Sequence, residues 1–112
     1  MNAIKVVPPV VEGLPKGCVL EHFGQIDAKT YFVVFGSPDH DFSKFRVAIG
    51  PVDGLFEVKV KKVNRYTDTH TVIIETEGGE FSFPNPARTG IKGYHHPTFN
   101  RKPVIASFTC FM

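Results

Sequence analysis

The chain begins with valines interrupted by proline. In MNAIKVVPPVVEGLPK, residues 1–16, three prolines stand among Val6, Val7, Val10 and Val11. Proline breaks a helix interior, so this stretch is expected to be an extended arm that packs through its valines. Two apolar runs closing on glycine follow, GCVLEHFG (17–24) and KTYFVVFG (29–36), with QIDA in the connection between them. They read as strands joined by a short turn. SPDHD (37–41) favours side-chain to backbone bonding over a ladder and is expected to form a loop. FSKFRVAIG (42–50) reads as a third strand, and PVDG (51–54) as a turn in which Pro presets one φ and Gly accepts a positive one.

The clearest two-residue period lies in LFEVKVKKVNRY (55–66). Phe56, Val58 and Val60 alternate with Glu57, Lys59 and Lys61, which predicts one dry face and one solvated face. Val63 then falls on the opposite parity from Val60, a slip expected from a β-bulge near Lys61 and Lys62. TDT (67–69), HTVIIETE (70–77), the Gly78-Gly79 turn and EFSF (80–83) complete a three-stranded meander. In VIASFTCFM (104–112), Val104, Ala106, Phe108 and Cys110 share one face, with Ser107 and Thr109 on the other, and this strand is expected to close the sheet. No stretch has a helical period, and turn signals recur about every 8–12 residues. The expected fold is all-β: a small single-domain antiparallel β-barrel, with the two-sheet β-sandwich as the alternative. The barrel is preferred because long apolar strands need paired edges. Residues 1–16 form the Pro-rich arm, 17–112 the β-domain, and 84–103 one long loop before the last strand.

Composition agrees with a single core. A chain of 112 residues buries about two-thirds of its extended surface on folding, so no metal or disulfide is needed for stability. Eleven Phe and no Trp make that core Phe-rich. Cys18 and Cys110 are too far apart for a CxxC redox or zinc motif. Residues 1–20 carry Glu12 and no continuous apolar run, unlike a signal peptide, and no apolar stretch approaches the ~20 residues of a membrane helix. A cytoplasmic setting with reduced thiols is therefore expected.

Charge changes the picture more. The net charge is +2, yet residues 1–80 hold nine Lys/Arg against eleven Asp/Glu, while residues 81–112 hold four Lys/Arg and no acid. The basic excess centres on ARTGIKGYHHPTFNRKP, residues 87–103. Structureless loops this long are usually functional or disordered, and this one is rich in groups that bind. Arg88, Lys92, Arg101 and Lys102 offer donors to phosphate or carboxylate oxygens, Gly90 and Gly93 allow backbone N–H groups to converge, and Tyr94, His95 and Phe99 can stack. The structural alternative is that Tyr94 and Phe99 plug the end of the barrel. A secondary basic face comprises Lys59, Lys61, Lys62 and Arg65. Lysines on an exposed strand also guard against edge-to-edge pairing, and Glu75 and Glu77 on the next strand are placed to neutralise them.

The expected function is a non-enzymatic binding module for a phosphate-bearing anionic ligand, a nucleotide or single-stranded nucleic acid, held by loop 87–103. The first alternative is a protein-interaction module: an accessory, inhibitory or homo-oligomer-forming protein, since Tyr and Arg are also interface anchors. The second is a small histidine-dependent phosphodiesterase or nuclease using His70, His95 and His96. GxSxG, P-loop, HExxH and strand-linked GxGxxG patterns are all absent. No metal or other cofactor is expected. The adjacent His95 and His96 point opposite ways on an extended chain, and Asp39 and Asp41 lack the further carboxylates of a calcium loop.

Overall fold

The computed structural model describes residues 4–7, 10–39, 41–66, 71–84 and 97–109. Within them lie β1 (Lys5–Val7), β2 (Val10–Glu12), β3 (Val19–Gln25), β4 (Tyr31–Gly36) and β5 (Arg46–Gly50). They are followed by β6 (Phe56–Val58), β7 (Val60–Tyr66), β8 (Thr71–Thr76), β9 (Gly79–Pro84), β10 (Thr98–Phe99), β11 (Lys102–Pro103) and β12 (Ala106–Thr109). A 3-10 turn, Phe42–Lys44, precedes β5. Among the described residues no helix is long and apolar enough to cross a membrane.

The strands form three antiparallel sheets: β1-β2, a five-stranded sheet in the order β12-β3-β4-β5-β6, and a second in the order β11-β10-β9-β8-β7. The all-β expectation holds, and the predicted meander is β7-β8-β9. Among the described residues no sheet closes on itself. The last strand, expected to close the sheet, is instead the edge beside β3, with Ala106 opposite Gln25 and Thr109 opposite His22. A two-residue period marks a strand and its faces but not its partner, which is why the pattern could not decide closure.

β4 shows how the core is built. Tyr-Phe-Val-Val-Phe has no polar position because both faces of this central strand are covered, and a strand buried on both sides loses its alternation. Phe32 and Val34 face one cluster, with Phe45 and Val47 beside them and Val72, Ile74, Phe81 and Phe83 contributed by the other five-stranded sheet. Phe32 packs tilted against Phe81 at 5.1 Å and Phe83 at 5.8 Å. Val33 and Phe35 face the second cluster, with Phe23, Ala48, Leu55, Ile4 and Val6. The N-terminal pair β1-β2 covers that face. Ile4 bridges to Leu55, and the Val6 N–H donates to the Val52 carbonyl at 2.8 Å. Val6 is buried and Val11 partly so, as the valine pattern predicted; the side chains of Val7 and Val10 lie outside the described residues.

Two strand expectations need correction. Residues 55–66 are not one strand: the chain leaves the first five-stranded sheet after Val58 and enters the second at Val60, so Lys59 is the step between them. Phe56, assigned to the dry face, is 66% exposed, while Leu55 is 1% exposed. β6 is an edge strand, and Phe56 opposite Ile49 extends past the cover of the second sheet. The bulge does occur where the parity slipped: Val60 pairs with Thr76 and Lys62 with Glu75, leaving Lys61 unmatched.

Nor is 84–103 without structure. β10 and β11 form a small hairpin that extends the meander, with Phe99 opposite Phe81 and Lys102 opposite Phe99. Two-residue strands are too short to show a period. Their turn also lacks the expected glycine: Asn100 and Arg101 carry φ of 51° and 68°. Asn tolerates this region, and its side chain accepts the Glu80 N–H at 2.9 Å, but arginine is strained there. Replacing Arg101 by Gly is expected to raise stability by about 0.5–1 kcal/mol, read as a higher denaturation midpoint. An unchanged or lower midpoint would show that the turn is unstrained.

Candidate anion-binding cleft

The bulge at Lys61 re-aims β7 where it borders the other sheet. There a cleft of about 380 Å³ opens between two walls. Val60, Lys61, Lys62 and Val63 line one, and Ser43, Lys44, Phe45 and Arg46 line the other.

The second wall is set by the loop SPDHDFSK. The Asp41 carboxylate accepts the Ser43 N–H at 3.0 Å and its hydroxyl at 2.7 Å, and the Lys44 N–H donates to the Asp41 carbonyl at 3.0 Å. This caps the 3-10 turn in the manner of a helix N-cap. Asp39 accepts the Ser37 hydroxyl and the Asp41 N–H. Both carboxyls are held below the usual carboxylate range, Asp39 chiefly by the Ser37 hydroxyl and Asp41 chiefly by the Ser43 hydroxyl. Ionised at neutral pH, they stand 3.6 and 3.9 Å from the Lys44 Nζ and draw it to this wall. The exposed contacts contribute little to stability but bias where Lys44 points.

Arg46 lines the cleft, yet its guanidinium faces elsewhere. It stands opposite Phe35 in the ladder and so shares that residue's face. There it makes a bidentate pair with Glu57 at 2.6 and 2.7 Å, lies 5.1 Å from the Phe35 ring centroid and reaches the Cys18 Sγ at 3.7 Å. The cations available to the cleft are therefore Lys44, Lys61 and Lys62.

The residues singled out in the sequence are divided by this arrangement. Arg88, Lys92, Tyr94 and His95 lie outside the described residues. Arg101 and Lys102 are exposed at the β10-β11 hairpin, and Phe99 packs on Phe81 at 4.7 Å as part of the core. β11 and β7 are opposite edges of one sheet, four strand spacings or about 19 Å apart, so this end of the loop does not meet the Lys61–Lys62 group. Of the secondary basic face, Lys61 and Lys62 line the cleft, while Lys59 is exposed at the step between sheets and Arg65 is exposed further along β7. Lys62 stands opposite Glu75 and Glu75 opposite Glu80, and among the described residues Lys62 closes no ion pair with Glu75. Ser43 and Lys44 were missed. The D-x-S capping pattern at Asp41 was a readable signal for the turn, but nothing in the sequence links it to Lys61, because only tertiary contact between the 3-10 turn and β7 brings them together.

No family model, curated protein or solved structure matches the chain.

The chemistry of the cleft thus rests on its own side chains. Each lysine presents up to three N–H donors and a full charge, and hydrogen bonds from such groups to an anion are worth about 1.5–3 kcal/mol each. The flanking carboxylates are lowered rather than raised, which makes them poor proton carriers near neutral pH. His22 is 1% exposed and stacks on Phe83 at 4.5 Å, within the core; His40, His70, His95 and His96 lie outside the described residues. Among the described residues no three His, Cys, Asp or Glu side chains gather to hold a metal ion.

Proposed function

We propose that the protein is a non-enzymatic binding module for a phosphate-bearing anionic ligand, and that the cleft between Ser43–Arg46 and β7 holds it. One observation carries this reading: at its bulge β7 borders a cleft lined by Lys61 and Lys62, whose other wall includes Lys44. The volume of about 380 Å³ falls in the range of small-molecule sites. Nucleotides and single-stranded nucleic acid are the ligand classes that match these groups.

The core shared by the two five-stranded sheets supports a two-sheet sandwich as the finer description of the fold. The protein-interface alternative draws on the exposed ring of Phe56, but singly exposed apolar side chains are ordinary on monomers. The histidine-hydrolase alternative gains nothing from His22, which lies within the core.

Exchanging both Lys61 and Lys62 for Gln is expected to weaken binding of an anionic nucleotide by about tenfold or more, and to flatten its dependence on salt. Titration of both proteins at low and moderate ionic strength checks this. Equal affinities would remove the cleft from binding.

A further inference from the structure

We propose that the cleft selects a phosphomonoester, a phosphate at the end of its ligand, and disfavours the continuing phosphodiester backbone of a nucleic acid strand. The inference rests on the anion-binding reading above and specifies its ligand class.

Charge around the cleft is the reason. A terminal phosphate carries about −1.5 to −2 at neutral pH, up to about twice the charge of a diester, and matches a recess lined by Lys44, Lys61 and Lys62. A backbone threading the site must leave it in two directions. Past Lys44 it meets Asp39 and Asp41, both held ionised by hydroxyl and N–H donors. Across the sheet from Lys62 it meets Glu75 and then Glu80, directly in register. Like charges facing a polyanion act against it, and such repulsion is a usual source of specificity. Along β7 beyond Lys62 the described residues carry no carboxylate: Lys62, Asn64 and Tyr66 alternate on one face, and Tyr66 is 43% exposed. This arrangement accommodates a ligand that ends in the cleft, with the remainder lying along β7.

The test is calorimetric titration of the full chain with thymidine, thymidine monophosphate, a short oligothymidylate bearing a terminal phosphate, and the same oligomer ending in a hydroxyl. The monophosphate and the phosphorylated oligomer should bind within about threefold of each other, and the hydroxyl oligomer at least about tenfold more weakly. The Lys61→Gln/Lys62→Gln protein should lose that preference at an unchanged melting temperature. A Glu75→Gln/Glu80→Gln protein should bind the hydroxyl oligomer severalfold better. Equal binding of the two oligomers overturns the end-phosphate proposal while leaving anion binding in place. Absence of binding by every phosphate ligand overturns both. Retained preference in the lysine variant puts the phosphate elsewhere and overturns the assignment to this cleft.

Discussion

Replacing Gly79 by alanine is expected to destabilise the fold by about 2–5 kcal/mol. Gly79 opens β9 with φ of +147°, a conformation that L side chains rarely adopt. A Cβ built there would lie 2.3 Å from Cζ and 2.4 Å from Cε1 of Phe99, and 3.0 Å from the Asn100 Oδ1. Phe99 cannot simply retreat, because its ring packs on Phe81 and joins the shared core. The Thr76 hydroxyl holds the turn from the other side, accepting the Gly78 and Gly79 N–H groups at 3.0 Å each and donating to the Gly79 carbonyl at 2.8 Å. The clash is therefore relieved by lifting the β10-β11 hairpin, which carries Arg101 and Lys102. Denaturant unfolding measures the loss, and a Gly79→Ala/Phe99→Ala double variant should lose less than the sum of its parts. Wild-type stability in Gly79→Ala would mean that Phe99 does not close over this glycine.

Acid is expected to weaken the fold through His22. Burial pushes its pKa down from 6.5 to about 4, since the imidazolium loses hydration where the ring lies stacked on Phe83. The folded-state pKa lies below the unfolded one, so the unfolded chain takes up the proton first as pH falls. Stability is full above pH 6.5, declines between 6.5 and about 4, and changes no further from this group below that. The total loss is about 3 kcal/mol. Unfolding free energies across this window in wild type and in His22→Leu provide the check. The leucine variant should lack that component of the slope whatever its stability at neutral pH, and identical slopes would remove His22 as its source. Asp39 and Asp41, with lowered pKa values, act in a different window: their contribution is present at neutral pH and fades only as pH falls through their depressed folded-state values.

The sequence disclosed some of this directly. Alternation at Val60–Lys62 located the bulge because parity is a local property, and the same holds for the β7-β8-β9 meander with its Gly78-Gly79 turn. The Tyr31–Phe35 run announced a strand without showing why it lacks polar positions; the reason is the second cover formed by β1-β2. Phe56 misled because alternation reports the two faces of a strand and is blind to where the covering sheet stops. The β10-β11 hairpin escaped notice because two-residue strands have no period and Asn100-Arg101 lacks the glycine that usually marks such a turn.

For the candidate site, the lysines could be read as a basic face on a strand beside a bulge, with the plain alternative that they protect an edge. Their placement beside Lys44 could not. Lys44 belongs to the 3-10 turn before β5 and Lys61–Lys62 to β7, in different sheets, and no ladder register connects them. The sequence alone determined the all-β character, the Phe-rich interior and the place where β7 is distorted, since each follows from composition or from the two-residue period of neighbouring side chains. Only the tertiary structure decided that 55–66 crosses between sheets, that Arg46 turns to Glu57 rather than into the cleft, and that Lys44 lines the same cleft as Lys61 and Lys62. Those outcomes depend on which strands meet across the core and where each sheet ends, and these are long-range contacts that local patterning does not encode.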